Sequence, residues 1–220
     1  MSTNTQSRPR RLLVLGATGA TGRLIVRAAL ARGLDVAALV RSAAAAAAAL
    51  PGATLIPGDA TDPAVLAEAV RGRDAVISAL GTPASPFRRV TLLSDATRAL
   101  VPAMRAAGVP RLIAITGIGA GDSRGHGGLL FDRLILPLLL RTVYADKNRQ
   151  EAIVRASGLD WVLVRPTMLT NGAGGGAIDA RDHLAGVQGG RIARADVARF
   201  VLDQLDEDRW LGRTPLLRGA

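Results

Sequence analysis

Three glycines, Gly16, Gly19 and Gly22, have the spacing that most directly indicates a ligand. They follow an apolar run, residues 12–15, typical of a buried parallel strand, and a helical pattern begins at Arg23. In a dinucleotide site the first glycine allows a sharp turn, the second lets backbone approach a pyrophosphate, and the third lets helix pack on strand. The helix N-terminus then offers N–H groups to the phosphates. The spacing therefore predicts a bound dinucleotide; a tight turn without a ligand is the alternative.

A phosphate loop is a different nucleotide site built on glycines, and this sequence excludes it. Such a loop ends in Gly-Lys-Ser or Gly-Lys-Thr, because the lysine reaches the terminal phosphates. Here Arg23 follows Gly22, and no Gly-Lys pair occurs in the chain.

Arg41 and Ser42 stand directly after the second predicted strand, where the ribose of a dinucleotide would lie. A site specific for NAD usually has an acidic residue there, whereas Asp35 lies at the opposite end of the strand. A cation and a hydroxyl suit a 2′-phosphate, so we expect NADP(H) to be preferred over NAD(H). An ordinary surface arginine is the alternative.

Further candidate residues follow the other predicted strands. Because parallel strands present their carboxyl ends at one edge of a sheet, we expect these residues to share that edge. They are Asp59 and Ala60, then Leu80, Gly81 and Thr82, then Thr116, and finally Pro166 and Thr167. Asp59 could bond an adenine amine, or it could serve a turn or helix cap, and the two roles are compatible.

The elements that must position these residues alternate along the chain. Helical patterns separate six strand-like apolar runs, which predicts one α/β domain with a doubly wound parallel sheet of the Rossmann kind. We expect residues 1–10 to be a flexible tail and residues 11–220 to form the domain with a small C-terminal substrate-side region. The predicted strands span residues 12–15, 35–40, 54–56, 75–79, 111–116 and 161–165, and helices include 62–71 and 91–107. Asp62 is the expected N-cap of the first of these helices, with Pro63 in its first turn. The glycine-rich segment 172–176 is expected to be flexible and to lie on the substrate side.

Composition narrows the class of protein. The 220 residues are 49% hydrophobic, and no apolar run is long enough to cross a membrane. The absence of cysteine excludes disulfides and thiolate chemistry, and two histidines without metal-like spacing predict no metal site. The net charge of +10 comes from scattered arginines with few aromatic residues, so we expect no nucleic-acid partner. A cytoplasmic protein is the natural prediction.

Taken together, these motifs resemble the atypical short-chain dehydrogenase/reductases. The resemblance covers residues 11–217 and is greatest to the NAD(P)H-binding group that contains biliverdin reductase B (flavin reductase) and the NmrA-like proteins. Besides the glycine loop, it is carried by Val40-Arg-Ser, Gly58-Asp-Ala, Asp74-Ala-Val-Ile-Ser-Ala-Leu-Gly, Ser157-Gly-Leu-Asp-Trp, Val164-Arg-Pro and Ile192-Ala-Arg-Ala-Asp-Val-Ala.

The resemblance implies a role for each matching residue. The pyrophosphate and its ribose would lie on the loop formed by Gly16, Thr18, Gly19, Ala20, Thr21 and Gly22. Arg41 would hold the 2′-phosphate, and Asp59 with Ala60 would flank the adenine. Leu80, Gly81 and Thr82 would line the route to the nicotinamide.

The chain departs from the superfamily at its catalytic pair, Tyr-x-x-x-Lys, in which lysine lowers the pKa of the tyrosine. Lys147 matches the lysine, but Val143 occupies the tyrosine position and Tyr144 comes one residue late. The two could still cooperate as i, i+3 neighbours on a helix, although their directions differ by about 100° from the usual pair. The usual upstream serine is also missing, since Gly117 follows Thr116. Lys147, Tyr144 and Thr116 are therefore the candidate catalytic residues.

Lys147 is also the only lysine among 28 basic residues. A compact ammonium can bond ribose hydroxyls where a planar guanidinium would not fit, so we expect Lys147 to contact the cofactor. A solvated helix lysine is the alternative.

The most apolar segment, residues 129–140, predicts a buried helix that Pro137 kinks. A lid over an apolar pocket and a dimer face are the alternatives. His126 precedes this segment in a glycine-rich stretch and is expected to be a loop residue rather than an acid catalyst.

The sequence thus favours an NADPH-dependent reductase that passes hydride to a small planar acceptor such as a flavin or quinone. These acceptors can take a proton from water, so the displaced tyrosine is tolerable. The alternative is a non-enzymatic NADP-binding regulator or assembly factor of the NmrA-like kind. A sugar-nucleotide epimerase is disfavoured by the displaced tyrosine, and we expect a monomer or homodimer.

Overall fold

The computed structural model describes residues 11–85 and 87–220, and within them eight strands form one sheet in the order β3-β2-β1-β4-β5-β6-β10-β8. Strands β1 to β6 pair in parallel, and only β8 runs antiparallel to its neighbour β10. Strands β7 and β9 make a separate parallel pair. The strands are β1 Arg11–Leu15, β2 Asp35–Val40, β3 Thr54–Pro57, β4 Ala75–Ser78, β5 Arg111–Ile115, β6 Asp160–Pro166, β7 Met168–Thr170, β8 Ile178–Arg181, β9 Arg191–Ala193 and β10 Leu216–Gly219.

Helices cover both faces of the sheet. They are α1 Ala20–Ala31, α2 Ala43–Ala46, α3 Pro63–Ala69, α4 Leu92–Ala106, α5 Arg141–Arg155 and α6 Arg194–Asp203. Short 3₁₀ turns span Ala47–Ala49 and Gly121–Ser123, and a π-helix, Phe131–Leu140, runs directly into α5. The expected tail, residues 1–10, lies outside the described residues.

All six predicted strands are confirmed, and their order reverses between β1 and β4. This reversal opens a crevice at the carboxyl ends of the strands, where sheets of this topology bind dinucleotides. The alternation of side chains fills two cores. Leu12 and Val14 point to the α1 and α6 side, whereas Leu13 and Leu15 point to the other side. The small β7–β9 pair and the strands β8 and β10 were not predicted.

The helix that follows β3 begins as the sequence predicts. The Asp62 carboxylate accepts hydrogen bonds from the backbone N–H groups of Ala64 and Val65, and Pro63 occupies the first turn.

The N-terminus of α4 is capped from another helix. Thr91 provides no side-chain cap; instead, the fully buried carboxylate of Asp146 on α5 accepts from the N–H of Leu93 at 2.8 Å and of Ser94 at 3.3 Å. The same carboxylate accepts from the Ser94 hydroxyl at 2.5 Å and from Arg149 at 3.1 Å. One side chain therefore joins the two helices and satisfies N–H groups that would otherwise lack an acceptor.

The structure corrects the prediction for residues 129–140. They do not form a buried helix: of the large apolar side chains in the π-helix, Leu136 is buried, while Leu134, Leu138 and Leu139 are at least half exposed. The helix instead has one apolar face against the domain and a second in solvent.

We expect Asp146→Ala to lower the free energy of unfolding by about 3 kcal/mol, because two N–H groups and a hydroxyl lose a buried acceptor. Chemical denaturation measures the loss. The control is Glu68→Ala, which removes an exposed carboxylate paired with Arg71 and should change stability by less than about 0.5 kcal/mol. Equal losses in both variants would contradict the capping role.

Candidate functional site

The glycine loop has the close contacts that a dinucleotide crevice needs. Gly16 has a φ of +73°, and a Cβ there would lie 2.5 Å from the Ala79 carbonyl oxygen. A Cβ on Gly22 would overlap the Gly16 carbonyl, so α1 packs against the end of β1 only because residue 22 is glycine. A Cβ on Gly19 would meet only the Gly16 oxygen, at 3.2 Å, which leaves its outer side open. The loop therefore fits a pyrophosphate above the N-terminus of α1.

A cavity of about 460 Å³ opens beside this loop. Its wall contains Ala20 of the loop together with the guanidinium-bearing residues Arg23, Arg27 and Arg194. These three arginines, of which Arg23 lies in the first turn of α1, make the cavity attractive to anions.

At the carboxyl ends of β2 and β3, Arg41 is exposed and Asp59 is held in a turn. The Asp59 carboxylate accepts from the N–H and the hydroxyl of Thr61, both at 2.7 Å, and these bonds lower the pKa of Asp59, with a smaller effect of Arg41. The turn role of Asp59 is thus confirmed, and its adenine contact stays a prediction. The Ser42 hydroxyl oxygen caps α2 by accepting from the Ala45 N–H at 3.3 Å.

The segment after β4 leaves room beside the chain. Nothing lies within 4 Å of a Cβ built on Gly81, and the neighbouring Thr82 has a buried hydroxyl oxygen without a hydrogen-bond partner in the described chain. A buried hydroxyl seldom remains unpaired in a native protein. Its presence here fits a polar ligand in the crevice.

Lys147 lies at the carboxyl end of β5, where the nicotinamide end of the crevice is expected. Its Nζ donates to the Thr116 carbonyl at 2.6 Å and lies 4.6 Å from the centre of the Tyr144 ring. Burial lowers the pKa of Lys147 to about 8, against a smaller opposing effect of the Glu151 carboxylate. A Cβ on Gly117 would come within 3.1 Å of Nζ, so the glycine keeps this approach free of a side chain.

Tyr144 is buried, and its hydroxyl donates to the Ile118 carbonyl at 2.8 Å. Burial raises the pKa of Tyr144 to about 12, with a smaller contribution from Asp132. Its ring packs edge-on against Phe131 of the π-helix, with centroids 5.9 Å apart. In this arrangement the phenol proton is engaged by backbone, and Tyr144 must leave the Ile118 carbonyl before it can donate to a substrate.

Thr116 turns its side chain away from the crevice. The hydroxyl donates to Glu151 at 2.8 Å, and Glu151 receives two further bonds from Arg165, at 3.0 and 2.6 Å. Arg165 also donates to Asp122 at 2.6 Å. Arg165 and Glu151 are both almost completely buried, and sequence reasoning missed this network. The signal was the charged residue Arg165 in the interior of a strand, where the residues before it, 161–164, are all apolar.

The remaining predicted residues also lie at the carboxyl edge. The Pro166 carbonyl accepts from the Ile118 N–H at 3.0 Å, and the Thr167 hydroxyl donates to the Leu217 carbonyl at 3.0 Å. The structure therefore brings the ends of β1, β4, β5 and β6 together as expected, while contacts of these residues with a cofactor stay predictions.

Two other sequence predictions concern loops. His126 is a loop residue whose Nδ1 lies 2.9 Å from the Val187 carbonyl oxygen. The glycine-rich segment 172–176, expected to be flexible, is tied to α6: Asp196 accepts from the Gly175 N–H at 2.8 Å, and Arg199 donates to the Gly176 carbonyl at 2.6 Å.

The described residues contain neither a cluster of metal ligands nor a membrane-spanning helix. No group of three or more acidic or histidine side chains there could hold a metal ion. None of the helices in this part of the chain is long and apolar enough to cross a membrane.

The sheet order and the glycine loop together define a nucleotide-binding protein of the Rossmann class. Residues 16–208 match the family model described as NAD(P)H-binding, and the chain belongs to that family. The fold and family that the sequence predicts are thus confirmed.

Individual relatives add detail. The chain is 33% identical over 147 residues to YhfK of Bacillus subtilis, an uncharacterized sugar epimerase, covering 66% of this chain and 63% of YhfK. It is 36% identical over 115 residues to the photosystem II assembly factor Ycf39 of Guillardia theta, covering 51% of this chain and 37% of Ycf39. The chain thus spans less than two thirds of these relatives. Among solved structures, the anaerobillin reductase ChuY of Escherichia coli O157:H7 superimposes with a TM-score of 0.80 at 27% identity, covering 95% of this chain and 97% of ChuY.

The position of Lys147 gives a pH prediction. If its ammonium binds the cofactor, the dissociation constant for NADPH should rise about tenfold between pH 7 and pH 9, because the charged form is lost above a pKa of about 8. Fluorescence titration measures this rise. Lys147→Met should bind weakly with a flat profile over that range. An equally steep profile in Lys147→Met would contradict the assignment.

Proposed function

We propose that the protein is an NADPH-dependent reductase that transfers hydride to a small planar acceptor such as a flavin or quinone. The observation that carries this proposal is the contrast between Lys147 and Tyr144. The Lys147 ammonium donates one hydrogen bond to the Thr116 carbonyl and has two further N–H donors, whereas the single proton of the Tyr144 hydroxyl is bonded to the Ile118 carbonyl. The site thus favours orientation of a nucleotide over proton donation by a side chain. ChuY, a reductase of the same fold at 27% identity, supports this class of reaction.

The chain's own residues would bind and orient the two reactants. The glycine loop and the N-terminus of α1 would hold the pyrophosphate, and Lys147 the adjacent ribose hydroxyls. When bound, NADPH supplies a hydride from its nicotinamide ring, and the acceptor takes this hydride together with one proton from water. Gly81, where nothing lies within 4 Å of a built Cβ, would leave the space that a flat ring needs beside the chain.

We further propose that NADP(H) is preferred over NAD(H), with Arg41 as the residue that distinguishes them. Arg41 is exposed at the carboxyl end of β2, and in the described chain it forms no salt bridge within 4 Å that would compete with a phosphate. Ser42 begins a helix beside it and retains a hydroxyl proton to donate. The cytoplasmic location and the monomeric or homodimeric state stay predictions from the sequence.

Arg41→Ala should weaken NADPH binding by about tenfold to a hundredfold, because a charge-assisted bond to the 2′-phosphate is lost. NADH has no such phosphate, so its affinity should change by less than about threefold. Isothermal titration with both nucleotides measures the difference. Arg105→Ala, an exposed arginine on the last turn of α4, is the matched control. Equal losses for the two nucleotides would refute the role of Arg41.

A second candidate is an NADP-binding assembly factor or regulator without turnover. Two observations favour it: the partial likeness to Ycf39, and the engaged hydroxyl of Tyr144. Epimerase chemistry, suggested by the description of YhfK, requires a group that moves protons at the substrate, and Tyr144 is one residue out of register for that role.

A turnover assay distinguishes these functions. We expect NADPH oxidation, followed at 340 nm, when a flavin or quinone is added, and we expect Tyr144→Phe to retain at least about half of this rate, since water supplies the proton. Tight NADPH binding without turnover on any acceptor would favour the assembly factor. A rate that falls about a hundredfold in Tyr144→Phe would instead show that the tyrosine donates the proton.

A further inference from the structure

An exposed row of leucines runs along the π-helix and the turn before it. Leu129, Leu130, Leu134, Leu138 and Leu139, here called the leucine stripe, are between 50% and 72% exposed. Monomeric proteins rarely expose so many neighbouring large apolar side chains without a function for them.

The unusual helix geometry produces this row. In an α-helix residues three or four apart share a face, but the i→i+5 bonding of a π-helix widens the turn, so residues four or five apart share one. Leu134 is five and four residues after Leu129 and Leu130, and four and five before Leu138 and Leu139. The wide turn therefore gathers all five leucines on one side.

The opposite side of the same helix is already occupied. Phe131, Leu136 and Leu140 pack against Tyr144 and Ala120, next to the candidate site. The leucine stripe is therefore not a wall of that pocket, because it faces away from Tyr144. Within the described residues nothing buries it.

Arginines lie on the same helix as the stripe and on the loop that contacts the start of α5. Arg133 follows the same spacing rule, four residues after Leu129 and five before Leu138, and Arg141 begins α5. The loop between β4 and α4 reaches the start of α5, where the Thr142 hydroxyl donates to the Ser85 carbonyl at 2.5 Å. Shortly after Ser85 come Phe87, which is 97% exposed, and two further exposed arginines, Arg88 and Arg89.

The charge around the leucine stripe distinguishes between two partners that could cover it, a second copy of this chain and an anionic apolar surface. The segments 81–91 and 124–145 contain five arginines, Arg88, Arg89, Arg124, Arg133 and Arg141, and a single acidic residue, Asp132. Asp132 accepts from the Gly125 N–H at 3.3 Å, and in the described chain none of the five arginines has a carboxylate within 4 Å. A second copy of this surface would bring like charges together. A surface that is both apolar and anionic would complement it.

We propose that the leucine stripe and its arginines dock on an anionic lipid membrane surface. The leucines insert among the acyl chains, and the guanidiniums pair with lipid phosphates, as in amphipathic helices that lie in the interface. The helix then lies parallel to the membrane plane and does not cross it. This docking does not depend on which acceptor the proposed reductase uses.

Co-sedimentation of the full chain with vesicles tests the proposal. We expect binding to vesicles of phosphatidylcholine with phosphatidylglycerol, at least about tenfold stronger than to phosphatidylcholine alone, and weakened by 0.5 M salt. Leu134→Gln combined with Leu138→Gln should reduce binding at least about tenfold, as should Arg133→Gln combined with Arg141→Gln.

Matched controls keep these outcomes interpretable. Arg105→Gln with Arg191→Gln removes two exposed charges elsewhere, Met168→Gln removes an exposed apolar side chain elsewhere, and neither should change vesicle binding more than about twofold. Circular dichroism and NADPH titration check that each variant folds.

Three results would overturn the proposal. The first is equal or absent binding to the two kinds of vesicle. The second is binding that depends on the arginines but not on the leucines, which would indicate simple electrostatic adsorption. The third is a dimer in analytical ultracentrifugation that the leucine variant abolishes, without vesicle binding by the parent chain, which would assign the surface to a second copy.

Discussion

The buried ion pair between Arg165 and Glu151 is the interaction on which the candidate site depends. It joins β6 to α5 through two hydrogen bonds, and the Thr116 hydroxyl at the end of β5 adds a third to the same carboxylate. Removing two charges from water is expensive, so a buried pair persists only where its remaining donors and acceptors are also satisfied. Here Asp122 meets the third nitrogen of Arg165.

The geometry at the carboxyl end of β5 follows from this pair. The Glu151 carboxylate fixes the Thr116 side chain, and the Thr116 carbonyl, on the crevice side, accepts a hydrogen bond from the Lys147 ammonium. Lys147 and Glu151 lie one turn apart on α5. The same helix therefore supplies both the carboxylate that binds the Thr116 hydroxyl and the ammonium that binds the Thr116 carbonyl. The loop that follows β5 packs closely over the network, and a Cβ on Gly121 would lie 2.8 Å from the Glu151 carboxylate.

The features of the fold and the site that could be predicted from the sequence are those set by residues close together in the chain. The six main strands, the glycine loop and the Asp62 cap depend on residues close together in the chain, and each is confirmed. Asp146 and the Arg165–Glu151 pair could not be found in this way, because their partners lie on other elements and charged residues usually indicate a surface. Residues 129–140 were mispredicted because apolar character alone indicates burial, while the wide turn of a π-helix leaves five of the seven leucines in this segment exposed. Contacts between the predicted site residues and a cofactor remain proposals, because they depend on a molecule outside the chain.

The solitary lysine has a practical consequence. In a chain with no cysteine and one lysine, the ε-amine of Lys147 is chemically unique, so amine-reactive reagents address one side-chain position, apart from the terminal amine. Its pKa of about 8 gives an appreciable fraction of nucleophilic free amine near neutrality. A single isotopic methyl label on this nitrogen would therefore place a spectroscopic reporter at the carboxyl end of β5, with no engineered residue.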